Sequence, residues 1–191
     1  MSHRCTVPCC ALLAALAVAV SAAHAQASYP NKPIRLLVPF APGGGTDIVA
    51  RALAQKLTEA FKQSVVVDNR AGGGGTIGAE LAVRATPDGY TMIMVSGSYS
   101  TNAALYKLPY DPVNDITPLA LIGETGFVVS LHPGVPIKTV RELIDHAKGN
   151  PQKLNYGSTG TGGITHLASE LFDMMAGTKM THVPYKGTGP A

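Results

Sequence analysis

Ile34-Arg35-Leu36-Leu37-Val38 is a short apolar run closed by Pro39, and a Pro- and Gly-rich turn then leads into a long helical pattern. That order of buried strand, tight turn and amphipathic helix confines the chain to folds in which strands deliver the backbone to helix starts. The turn runs through Ala41, Pro42, Gly43, Gly44 and Gly45 to Thr46 and Asp47. It leaves backbone N–H groups unpaired at the positive end of a helix, which is a natural seat for an anion. Similar Gly-rich turns recur at 70–78 and 157–163. Three such loops point to a chain that holds a small acidic molecule.

The rest of the chain alternates in the same way. Strand patterns fall at 34–38, 65–67, 91–95, 117–122, 127–131, 154–157 and 181–183. Helical patterns fall at 46–63, 76–85, 101–106, 139–148 and 164–176, with Thr139 and Glu142 spaced as a capping box. This predicts an α/β fold built from parallel βαβ units. Between Leu105 and Pro136 no long helix interrupts two strand patterns, as expected where a chain crosses between lobes. The expected division is a first α/β lobe over 26–124 and a second over 125–191.

Residues 1–25 read as a secretory signal peptide. His3 and Arg4 precede an apolar run from Ala11 to Ala23, and Ala23-His24-Ala25 supplies a small-x-small site that favours cleavage after Ala25, with cleavage after Ala27 the alternative. A membrane anchor is the competing reading, but the run is shorter than the roughly 20 residues a spanning helix needs. Cys5, Cys9 and Cys10 all lie in this leader, so the mature chain has no disulfide in its design. These features suit a periplasmic protein. Net charge is +3 with scattered Lys and Arg, which argues against a nucleic-acid partner.

Ligands of open α/β sheets sit beyond the carboxyl ends of the strands. The loops after Val38, Asp68 and Tyr156, and the loop holding Ser96 and Ser98 after Val95, occupy such positions and should converge on one cleft. Gly73-Gly74-Gly75-Thr76-Ile77-Gly78 fits a dinucleotide fingerprint in spelling, but no carboxylate ends the next strand, so no cofactor is expected. No Walker loop or G-x-S-x-G elbow is present, and no catalytic set is recognisable. The histidines His132, His146, His166 and His182 lack metal-ligand spacing, so no metal site is expected; His146 reads as solvated and His182 as structural. Ser158, Thr159, Gly160, Thr161 and Gly162 resemble an anion cradle. His166 either donates into the cleft or braces that loop. Asp47 either turns back to cap its helix or pairs with an amino group on a ligand.

Taken together the motifs resemble a known family. Tyr29-Pro30-Asn31-Lys32-Pro33-Ile34-Arg35 followed by Val38 to Asp47 is similar to the opening of the Bug family, the extracytoplasmic solute receptors of tripartite tricarboxylate transporters. Val67-Asp68-Asn69-Arg70-Ala71-Gly72-Gly73-Gly74-Gly75, Pro87-Asp88-Gly89-Tyr90-Thr91, Asn155 to Ser158, His166-Leu167 and His182 to Gly187 extend the resemblance. It implies a two-lobed periplasmic-binding-protein-like (Venus flytrap) fold that closes on a small organic acid and delivers it to membrane permease subunits. It places ligand contacts at Ala41 to Asp47, at Ser96 and Ser98, and at Ser158 to Gly162. Family members are longer, so it also implies a C-terminally truncated receptor with an incomplete second lobe. The rival readings are an exported α/β enzyme acting on a small acidic substrate and a ligand-sensing subunit.

Overall fold

The computed structural model describes residues 29–191; the leader, its cleavage point after Ala25 and the three cysteines lie outside the described residues. Strand β1 (Ile34–Val38) is the centre of a three-stranded parallel sheet, flanked by β2 (Val65–Asn69) and β3 (Thr91–Ile93). Leu36 lies opposite Val67 on one side and Met92 on the other. Strands covered on both faces carry continuous apolar runs, and Ile34, Leu36, Leu37 and Val38 are all buried. Arg35 is the polar exception. Its Nε donates to Asp68 Oδ2 of the neighbouring strand at 2.7 Å.

Helix α1 (Gly45–Phe61) packs its small residues Ala50 and Ala54 on β1, and Lys62 ends it in the left-handed conformation (φ 54°). A 3-10 turn at Gly73–Gly75 leads into α2 (Thr76–Val83), and α3 (Ser98–Leu105) follows β3. Helix α4 (Val140–Gly149) starts at Thr139, whose side chain accepts the Glu142 N–H while Glu142 returns to the Thr139 N–H, the expected capping box. A second parallel sheet pairs β4 (Asn155–Ser158) with β5 (Thr181–Pro184) across the crossover helix α5 (Ile164–Ala176).

Two expected strands are absent. Residues 117–122 and 127–131 form no ladder, and Leu119 and Val128 are 77% and 90% exposed. An apolar run records a preference for a strand, but the strand exists only where another backbone accepts its N–H and C=O groups. Among the described residues no segment hydrogen-bonds to the backbone of these two. Smaller shifts occur at element ends: β3 stops at Ile93, and α3 starts at Ser98, three residues before its expected start.

Candidate ligand-binding site

The first loop is held from within. Gly44 occupies the N-cap of α1 and no side chain caps the helix, contrary to the capping reading of Asp47. Asp47 turns back instead onto the preceding turn. Its carboxylate accepts the Gly43 N–H at 2.9 Å, Asn69 Nδ2 at 2.9 Å and Arg51 Nε at 2.9 Å, and the residue is 3% exposed. The Arg51 hydrogen bond outweighs burial and holds the Asp47 carboxyl down at about 2. Asn69 Nδ2 also donates to the Phe40 carbonyl. With Asp47 committed inward, the N–H groups of Gly44, Thr46 and Asp47 find no acceptor among the described residues. They lie at the positive end of a 17-residue helix, with Thr188 and Gly189 packed against Gly44.

The second loop spends most of its donors on itself. The Thr159 N–H goes to Thr165 Oγ1 at 2.9 Å, Gly160 N–H to Ser158 Oγ at 3.1 Å, and Gly163 N–H to the Gly160 carbonyl at 2.9 Å. Gly162 N–H donates to His166 Nδ1 at 3.3 Å, so His166 braces the loop as an acceptor. Thr161 N–H alone in this loop has no acceptor among the described residues. Its cradle is therefore rigid but poor in free donors.

Opposing contacts differ from a simple pairing of these two loops. Facing the first loop is the segment after β5: Ala41 N–H donates to the Lys186 carbonyl at 2.8 Å, and Gly45 N–H lies 3.4 Å from Thr188 Oγ1. Facing Ser158–Gly162 is Gly74. A Cβ there would stand 2.7 Å from the Thr161 carbonyl oxygen, and φ of +62° also demands glycine. Asn102 Nδ2 donates to the Gly74 carbonyl at 3.3 Å, and the Tyr106 hydroxyl donates to the Thr161 carbonyl at 2.7 Å. The Ser96 and Ser98 hydroxyls lie 3.0 Å apart, with Ser98 buried beside Gly75. Thus strand-end loops from both sheets do come together.

Several of these contacts were not among the expected positions. Lys186 to Gly189 could have been found, because it is one more Gly-rich loop beyond a strand end. Asn102 and Tyr106 carry no local signal, since their partners lie 28 and 55 residues away.

His182, read as structural, also reaches the second loop. Its Nε2 lies 2.6 Å from Ser158 Oγ, and its ring stacks on His166 (4.0 Å between centroids) and Tyr156 (5.1 Å). Burial first, then the charge of His166, hold the His182 imidazole below its ordinary value. Burial, then the hydrogen bond from its hydroxyl to Glu170, pushes the Tyr156 phenol up. A Ser–His contact invites a nucleophile reading, but Ser158 is 2% exposed and its oxygen already accepts the Gly160 N–H. Among the described residues no three metal-ligating side chains converge. A cavity of about 370 Å³ between α1 and β2, lined by Arg51, Gln55 and Val67, lies on the flank of the first sheet, and Arg51 is shared between it and the first loop.

Comparison with known proteins agrees with this architecture. A family profile described as the tripartite tricarboxylate transporter family receptor matches residues 49–191. Protein BugT of Bordetella pertussis is 35% identical over 188 residues, covering 94% of this chain and 58% of BugT. A Rhodopseudomonas palustris protein, Rpa4515, solved with adipate, is 40% identical with a TM-score of 0.81, over 85% of this chain and 55% of that one. The periplasmic binding protein BugD is 36% identical with a TM-score of 0.74, over 85% and 55% of the two chains. The chain spans about half the length of the curated relatives it matches. Its fold is that of periplasmic binding proteins of this type, and the chain belongs to the tripartite tricarboxylate transporter receptor family.

Proposed function

We propose that this protein is a periplasmic receptor that captures a small organic carboxylate and hands it to a tripartite tricarboxylate-type membrane transporter. The observation that carries this reading is the row of unpaired N–H groups at Gly44, Thr46 and Asp47, where the Asp47 carboxylate is already taken up by Gly43, Asn69 and Arg51. Backbone donors at a helix start solvate a carboxylate without needing a charged side chain. The adipate bound by Rpa4515 fits that chemistry.

In this reading residues 26–124 and 125–191 belong to two lobes, and ligand binding favours the arrangement in which Gly74 meets Thr161. Ala41 to Asp47, Ser96 and Ser98 line the first side of the cleft, and Ser158 to Gly162 with His166 line or brace the second. The protein binds without catalysis and needs no cofactor. The test is a thermal-shift screen of short dicarboxylates, adipate among them, with mass spectrometry of the recovered ligand. A raised melting temperature with unchanged ligand mass is expected; product formation overturns the reading.

A further inference from the structure

We propose that segment 127–131 of one molecule adds as an antiparallel strand to the open edge of β2 in a second copy, with alternate side chains seated in the groove between α1 and β2. The inference needs no ligand and stands apart from the receptor reading.

Strand β2 has β1 on one side and no strand on the other. The Ile34 N–H donates to the Ser64 carbonyl, and the Arg70 N–H to the Val38 carbonyl. Residues facing the partner alternate in a parallel ladder, so Val66 and Asp68 also face β1 while Val65, Val67 and Asn69 turn their backbone groups outward. Thr58 Oγ1 takes the Val65 N–H at 2.9 Å. The Val65 carbonyl and the backbone of Val67 and Asn69 are left as a strand edge. Beside it lies the cavity of about 370 Å³, with Ala54, Val65 and Val67 as its apolar lining and Arg51, Gln55 and Glu59 as its polar one. An open edge next to a partly apolar groove suits strand addition, in which the backbone supplies hydrogen bonds and the groove takes alternate side chains.

The same chain carries the matching half. Segment 127–131 is five residues long, as β2 is, and forms no ladder of its own. It combines Phe, two Val and Leu with one Ser, a composition that favours a strand. In an extended chain Phe127, Val129 and Leu131 share one side, and Val128 and Ser130 the other.

Aromatic and charged residues select the direction. With Phe127 opposite Asn69, Val129 opposite Val67 and Leu131 opposite Val65, the apolar triad enters the groove. Phe127 then meets Arg51, a half-exposed guanidinium that donates to Asn69 Oδ1 at 3.1 Å, and a ring beside a guanidinium is attractive. Glu124 is exposed and has no ion pair among the described residues, and this direction brings it towards exposed Arg70. Run the other way, Leu131 takes the place beside Arg51 and the ring contact is lost.

Strand and edge are different surfaces of one molecule, so each copy offers one of each and association runs head to tail. A five-residue strand buries less than the roughly 1,000 Å² of a lasting interface, which sets the expected Kd at about 100 µM.

The test is sedimentation equilibrium of wild type, Val129→Asp and Gln55→Trp between about 10 µM and 1 mM, with circular dichroism as the check on folding. Both substituted positions are exposed. V129D spoils the strand but keeps the edge; Q55W fills the groove but keeps the strand. The wild-type mass is expected to climb past two protomers with concentration, while each variant alone stays monomeric. An equal mixture of the two variants should associate and level off at two protomers, because only one strand and one edge remain. A monomeric wild type, or a mixture that stays monomeric, overturns the proposal. Association of Q55W alone also overturns it, since the segment then pairs with its own copy rather than with β2.

Discussion

Tyr106 of α3 donates its hydroxyl proton to the Thr161 carbonyl at 2.7 Å, and its ring occupies the space a Cβ on Gly162 would need. One side chain thus ties a helix beside the first sheet to the loop that follows β4. We predict that Tyr106→Phe, which keeps the ring and removes the donor, costs about 1 kcal/mol. Thermal unfolding should show a drop of a few degrees; an unchanged melting temperature would mean that this bond carries no net stability.

Gly74 is a stricter constraint. Its φ of +62° and the 2.7 Å separation between a built Cβ and the Thr161 carbonyl oxygen leave no room for a side chain. Gly74→Ala should therefore hold the loops apart and abolish any ligand-induced thermal shift, while the two sheets, which do not touch this position, keep their circular dichroism. A variant that binds a dicarboxylate as well as wild type would refute the close approach.

Asp47 makes stability depend on acid. Its carboxyl titrates at about 2 in the folded protein against 3.8 for the free group. A lowered folded value means that the stabilisation is present above about pH 4 and is lost as pH falls towards 2, amounting to about 2 kcal/mol. Urea unfolding at successive pH values should show this loss in wild type and a flatter profile in Asp47→Asn. Equal slopes in the two proteins would remove Asp47 as the source.

The capping box at α4 gives a purely local prediction. Thr139→Ala leaves the Glu142 N–H without its acceptor and should cost about 1 kcal/mol. Denaturant unfolding measures it, and a neutral outcome would show that α4 is held by Leu143 and Ala147 rather than by its cap.

These predictions divide by how far apart the partners lie in sequence, and so does what the sequence reveals. Thr139 and Glu142 are three residues apart, and their box was legible. The apolar run Ile34 to Val38, followed by glycine and a helix, announced both a buried strand and a loop at its end. Asp47 was harder to read. Its capping chemistry is local, but the groups that claim its carboxylate include Asn69, 22 residues on, and with Gly44 at the cap the side chain turned towards the loop. His182 alternates with Val183 as any strand residue does, and only the fold brings it to Ser158. The failed strands over 117–131 mark the opposite limit, since composition states a preference and pairing decides the outcome.

That unpaired stretch bears on how the molecule behaves at high concentration. Phe127-Val128-Val129-Ser130-Leu131 contains no charge and no proline, and Phe127, Val128 and Val129 are 59%, 90% and 61% exposed. A segment of this composition with both backbone edges free is a template for cross-β association between molecules. Glu124 on one side and Pro133 on the other are the nearest residues that interrupt such growth. These five residues lie outside the ligand loops, and a charge placed at Val128 is expected to reduce any such association, as light scattering against wild type would show.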